Sequence, residues 1–263
     1  MAVRLLDAGA EEELRIYLDG CPSLVNQRTV FAGESYFQNP ALLSFVAENP
    51  VRKGRLPANI VALATIILEA GAKDDAAAVN ETLALVCSGR VPRECHQHLP
   101  LIDLLCDHGA NPDQAVPAAL VHGEFDAVHA LLRRGARFDF VVASALGMAE
   151  DARRLLDSAN GLDRHRALAL ASQFGHADVV RLLIEAGEDP RRYNPAGFHA
   201  HSTPLHQAAF GAHRETASLL LEGGADAQAK DKVWQATPAD WARHAGREDI
   251  ADYLEGWFGR RGQ

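Results

Sequence analysis

The stretch Thr203-Pro204-Leu205-His206-Gln207-Ala208-Ala209 comes back thirty-four positions later as Thr237-Pro238-Ala239-Asp240-Trp241-Ala242. A chain that copies itself at such an interval builds one supersecondary unit several times and stacks the copies. Each copy opens in the same way. A threonine hydroxyl suits an N-cap, because it can accept from a backbone N–H of the first turn. The proline after it sits at the first helical position, where its missing N–H costs nothing. Leu205, Ala208 and Ala209 then share one face, and the small alanines allow a neighbouring helix to approach closely. A break at 210–213 leads to a second helix carrying Leu219, Leu220 and Leu221. It stops at Gly223-Gly224, which suits a left-handed C-cap. The second copy has its turn at Gly246, its second helix through Ile250, Ala251, Tyr253 and Leu254, and its stop at Gly256.

Weaker copies precede these two. Val3–Ala8 and Glu11–Asp19 read as a terminal helix pair, with Leu14 and Leu18 inward and Glu11-Glu12-Glu13 at the helix start, where acidic residues favour the dipole. Residues 24–38 show no helical period. Asn39 reads as the cap of a helix running to Glu48, followed by a basic loop with Arg52, Lys53 and Arg55, and a partner helix over 58–70. Residues 80–88 and 100–107 form the next pair, with 89–98 as an inserted loop. Helices follow at 117–121, 125–133, 140–145, 152–158, 166–174 and 179–186. Gly123 and Gly147 are only 24 positions apart, so the middle copies are short. The connection 189–202 is longer than its successor and rich in Pro, Gly and Asn. Residues 257–263 read as a frayed tail, with Trp257 and Phe258 available to cover the last apolar face.

A period near 33 with the pattern T-P-L-H-x-A is that of ankyrin repeats, and the chain resembles the ankyrin-repeat family. The resemblance is plainest from Gly135 to Gly256. Ala212 departs from it where the family usually has the glycine of a Gly-His turn, and Asp240 stands where the family has histidine. What the resemblance implies is an all-α fold, an α-solenoid of about seven to eight stacked helix pairs, some with β-hairpin fingers. It also implies one continuous domain over 1–263, with 1–38 a cap and irregular segment, 39–134 divergent repeats, and 135–256 clearer ones. His206, and His176 after Gly175, are then structural ties between neighbouring repeats.

Composition narrows the function. The net charge of −9 argues against a nucleic-acid partner. No apolar run is long enough to span a membrane, and Met1-Ala-Val-Arg-Leu-Leu-Asp carries charges where a signal peptide needs an apolar stretch. A cytoplasmic protein, probing no membrane and monomeric, is the expectation. The alanine- and arginine-rich composition reads as bacterial, which makes an inhibitor of a toxin one form the function could take. Cys21, Cys87, Cys95 and Cys106 have no CxxC spacing and read as reduced thiols. There is no phosphate-binding glycine loop and no GxSxG elbow, so no enzyme and no cofactor is expected.

The resemblance places a protein partner on the concave side, against the fingers and first helices. By position that surface holds Arg191, Arg192, Tyr193, Phe198 and His199 from one connection and Lys232, Val233 and Trp234 from the next. Aromatics and arginine are enriched at interface hot spots, although Phe198 or Trp234 could also fold back onto the stack. An acidic patch on the partner would suit Arg191, Arg192 and Lys232. The alternative is a metal or small-molecule site, catalytic in one version, at His199, His201 and Asp231. Histidines two apart in an extended segment can point the same way, and a carboxylate could complete the set. A second cluster is Cys95, His96, His98, Cys106 and His108, whose spacing matches no zinc pattern. The bland reading of both is a loop held by hydrogen bonds.

Overall fold

A computed structural model describes residues 1–29 and 39–261, with side chains as far as Trp257. The expectations for 30–38, for Phe258 and for 262–263 lie outside the described residues. The described chain divides into two compact units, Met1–Arg137 and Phe138–Gln263.

The first unit contains α1 (Ala2–Ala8), α2 (Glu11–Gly20), a 3-10 helix at Leu42–Ala47, α3 (Ile60–Glu69), α4 (Ala76–Ser88), α5 (Arg90–Glu94), α6 (His98–Asp107), α7 (Pro112–Val121) and α8 (Phe125–Arg133). The second contains α9 (Phe140–Ala145), α10 (Ala149–Leu155), α11 (Gly161–Phe174), α12 (Ala177–Glu185), α13 (Pro204–Phe210), α14 (Arg214–Glu222), α15 (Pro238–His244) and α16 (Glu248–Arg261). Successive helices pack as pairs: α1 with α2, the 3-10 helix with α3, α4 with α6 across the short α5, α7 with α8, and so on to α15 with α16. That makes four pairs in each unit. Within the second unit the first helices of successive pairs also touch, α9 to α11 to α13 to α15, as do the second helices α10, α12 and α14. The stacked helix pairs of the ankyrin pattern are therefore present.

The sequence chemistry explains the packing. Ala143, Ala167, Ala171, Ala208 and Ala242 are fully buried along the row of first helices, where only a methyl fits between backbones. Leu183, Leu205, Leu220 and Leu254 fill the space between the two rows. In the first unit Leu14, Leu43, Ile60, Leu63, Leu83 and Leu105 do the same. Burying a leucine of this kind contributes roughly 2 kcal/mol.

Several helix starts differ from the sequence expectation, for one reason. Asp75 accepts from the Ala78 N–H at 3.0 Å, Asn111 from Asp113 at 3.0 Å, and Asn160 from Leu162 at 2.9 Å. These caps open α4, α7 and α11 four or five residues ahead of the expected starts at 80, 117 and 166. Asn39 behaves otherwise: it has positive φ and caps nothing, and the helix after it is 3-10 with Ala41 before it. The loop expected at 89–98 contains the short α5. The last helix runs through Gly256 to Arg261, so the expected stop and frayed tail over 257–261 give way to helix. The expected β-hairpin fingers carry no strand among the described residues. They are turns stitched by single bonds, such as Asp231 N–H to the Ala236 carbonyl at 2.9 Å and Lys232 N–H to the His201 carbonyl at 2.8 Å. No helix among the described residues is long and apolar enough to cross a membrane.

Candidate functional site

The two connections that sequence reading singled out lie side by side in the second unit, and the carboxylate of Asp231 organises the later one. Asp231 is 0% exposed. Its Oδ1 accepts from the backbone N–H of Val233 at 2.8 Å and of Trp234 at 2.7 Å. Its Oδ2 accepts from the Ala236 N–H at 3.0 Å and from the indole Nε1–H of Trp241 at 3.0 Å. Burial alone would raise this carboxyl. The four donors, Trp234 and Trp241 foremost, outweigh burial and hold it at about 2. The turn 231–236 is thus wrapped around an ionised side chain, and Trp234 is carried on its outer edge.

Histidine ties the finger to the helix before it. The Nδ1 of His206 accepts from the Thr203 N–H at 3.2 Å, which leaves the ring proton on Nε2 to donate to the Ala236 carbonyl at 3.1 Å. His176 reaches the Ala145 carbonyl at 2.9 Å and His213 the Gln173 carbonyl at 3.0 Å in the same way. Burial pushes all three imidazoles below their ordinary value. The rings lie flat over turn glycines: a Cβ on Gly147 would stand 2.6 Å from His176, and one on Gly175 2.4 Å from His213. Ala212, the departure in the third turn, adopts positive φ without glycine's help. At Asp240 the substituted residue keeps the capping part of the histidine's work, accepting from the Thr237 N–H at 2.9 Å and hydroxyl at 2.7 Å.

Between the two connections opens a cleft of about 530 Å³, lined by His199, His201, Phe210, Trp234, Trp241 and Asp240 among others. Its rings meet edge to face: His201 with Trp234 at 5.6 Å between centroids, Trp234 with Trp241 at 6.0 Å, and Phe210 with Trp241 at 6.1 Å. Such contacts fix ring positions beyond what area burial does. Trp234 is 66% exposed, and Val233 and Phe210 beside it are also exposed.

Of the residues expected to meet a partner, Trp234 and His199 line this cleft, and Lys232 does not. The others are placed differently. Phe198 is only 6% exposed, with the Arg166 guanidinium 5.5 Å above its ring, so it folds back onto the stack. Arg191 is held by Asp189 at 2.8 Å and Arg192 by the buried Glu188 at 3.0 Å, which leaves neither charge unpaired for an acidic partner. Tyr193 donates to the Lys230 carbonyl at 2.5 Å and lies under the Lys232 ammonium, 4.3 Å away. The metal set His199, His201 and Asp231 does not assemble, because donors occupy all the acceptor positions of Asp231. The second cluster is dispersed too: Cys95 Sγ accepts from the Leu56 N–H at 3.4 Å, His108 bonds the Leu104 carbonyl at 2.9 Å, and His98 is buried. No group of three or more His, Cys, Asp or Glu among the described residues is placed to hold a metal ion.

Sequence reading missed Phe210 and Trp241. The available signal was positional. Trp241 occupies the register of Gln207 in the preceding copy, one step past the capping residue, and a large aromatic there must face the finger rather than the core.

The model for ankyrin repeats matches three copies over residues 140–231. Human cyclin-dependent kinase 4 inhibitor B is 33% identical over 116 residues, which cover 43% of this chain and 81% of that protein. The mouse protein of the same name is 34% identical over 116 residues, covering 43% of this chain and 86% of that one. Mouse protein phosphatase 1 regulatory subunit 12A is 35% identical over 114 residues, covering 41% of this chain and 10% of that protein.

Proposed function

Because the chain belongs to the ankyrin-repeat family, we propose that it is a non-catalytic protein–protein interaction module whose contact surface is centred on the aromatic cleft of the second unit. The observation that carries this reading is the exposure of Trp234 on a turn held rigid by Asp231. An indole two-thirds exposed at the tip of an ordered turn costs solvation and returns to the fold only its edge contacts with His201 and Trp241, whereas aromatics already ordered before contact are what interfaces use as anchors. The relatives support a protein as the occupant, since an inhibitor of a kinase and a regulatory subunit of a phosphatase are both named for other proteins. The partner is soluble protein met in the cytoplasm, and the chain acts as a monomer without cofactor.

Affinity capture from the native cell, with wild-type and Trp234→Ala chains in parallel, tests this. We expect a protein retained by the wild type and lost with the variant, at unchanged thermal stability. Equal retention by both chains would move the surface elsewhere.

A further inference from the structure

The electrostatics of the cleft select among occupants. Asp231 is ionised and buried, yet among the described residues it pairs with no Lys or Arg. Its charge is balanced only by N–H dipoles, one of which belongs to Trp241. A carboxylate hydrogen-bonded to an indole N–H pushes electron density onto the ring and strengthens its negative face. Asp240 adds a second carboxylate at the rim, forming no ion pair among the described residues. Lys230 and Arg243 are near enough for Asp240 to sense, but Arg243 is bonded to Glu255 at 2.8 Å. No Lys or Arg lines the cleft. The walls therefore combine aromatic rings with carboxylates and carry no Lys or Arg, which favours a cation.

The polar atoms around the cleft narrow the cation further. Gln207 donates to the Ser202 hydroxyl at 2.9 Å, and the Asp240 Oδ2 already accepts twice from Thr237. The lining is mostly apolar, and besides the second Asp240 oxygen it offers the imidazoles of the histidines, His201 and His244 among them; a primary ammonium entering here would give up its water for few acceptors, a costly exchange. A quaternary ammonium needs none, and its methyl groups pack on the rings. The exposed flank of Val233, Trp234 and Phe210 extends beyond the cleft mouth, which suits a side chain presented by a polypeptide better than a free small molecule.

We propose that the cleft bounded by Trp234, Trp241, Phe210 and His201 receives a trimethylated lysine side chain of the protein partner. This rests on the reading of the second unit as a protein-binding surface and specifies its chemistry.

The test follows tryptophan fluorescence of the full chain on titration with a glycine-flanked lysine pentapeptide. The peptide is supplied trimethylated, unmodified, and with the side chain replaced by its neutral tert-butyl isostere. The trimethylated peptide should bind about tenfold more tightly than either of the others. Trp234→Ala should abolish that preference. Trp241→Phe, which keeps a ring but removes the N–H, should reduce it, and Asp240→Asn, which removes the rim charge and leaves the four bonds to Asp231 in place, should also reduce it; a preference unchanged in both would overturn the proposal. Equal binding of the neutral isostere would overturn the proposal, as would no saturable change with any peptide. Choline binding more tightly than the trimethylated peptide would overturn the lysine source. If the peptides fail while Trp234→Ala still loses the captured partner, the interaction surface stands and only its chemistry is wrong. If the trimethylated peptide binds but capture is indifferent to Trp234→Ala, the surface reading is what fails.

Discussion

Each unit builds one loop around a buried carboxylate, and the two carboxylates are neutralised in opposite ways. In the first unit Glu48, 1% exposed, accepts from the backbone N–H groups of Arg52 at 2.8 Å, Gly54 at 3.0 Å and Lys53, and meets the Arg52 guanidinium at 2.8 Å. Arg52 also bonds Asp7 at 2.8 Å and lies 4.9 Å from the Phe45 ring. The charge is closed off within its own loop. In the second unit Asp231 collects three backbone N–H groups and one indole N–H, with no cation. The same device, a carboxylate that replaces missing sheet or helix bonds in a turn, yields an inert brace in one case. In the other it leaves a field beneath an exposed aromatic surface. The presence or absence of a local counter-charge separates the two.

The largest expected effect contrasts the braces directly. Asp231→Ala leaves four part-buried donors without their acceptor and should destabilise the second unit by about 3 kcal/mol. Glu48→Ala leaves Arg52 its bond to Asp7 and should cost the first unit about 2 kcal/mol. All three tryptophans, 234, 241 and 257, belong to the second unit, so their fluorescence reports that unit during denaturant unfolding. Hydrogen exchange of peptides from 39–60 reports the first. A larger loss in the first unit would break the comparison.

Next in size is Gly175→Ala, expected to cost about 2 kcal/mol, because the residue has φ of +75° and its Cβ would enter the His213 ring. Gly54→Ala, also at positive φ but with open space around it, should cost about 1 kcal/mol. Equal losses would show that strain rather than the histidine contact decides.

The pH dependence sharpens the comparison further. His176, His206 and His213 have folded values below the unfolded one, since burial disfavours the imidazolium. The unfolded chain therefore binds protons first as pH falls. Stability of the second unit is complete above the ordinary histidine value of about 6.5 and declines as pH drops through it toward the lower folded values. Asp231, at about 2 when folded, adds a further loss below about 4. In the first unit His98 alone shows a lowered histidine value. Urea midpoints at pH 7.5 and pH 5.5 should differ more by tryptophan fluorescence than by exchange in the first unit. The smallest effect is that of salt, where the exposed pair Arg90–Glu94 should contribute under about 0.5 kcal/mol to the first unit.

The stacked pairs were legible because Thr-Pro starts, alanine faces and glycine stops are local signals that survive tertiary context. The starts at Asp75, Asn111 and Asn160 were less so, because a polar residue before a short turn, with Pro112 or Gly161 next to it in two of the three, resembles a loop until the capping hydrogen bond is seen. The cleft was half legible. Trp234 and His201 stood out in their connections. Phe210 reads as part of the break between two helices and Trp241 only as a member of the repeated motif, and their meeting across the cleft is a tertiary property. Asp231 was misjudged for a related cause. An acidic residue beside histidines suggests coordination, and only the geometry of four converging N–H groups shows that its lone pairs are already used.

The central claim is that the second unit, at Trp234, meets the partner. With the captured partner purified, its dissociation constant should rise at least about tenfold for Trp234→Ala, while Val51→Ala, a site in the first unit with the same 66% exposure, leaves it unchanged. A constant altered by Val51→Ala and indifferent to Trp234→Ala would contradict the account.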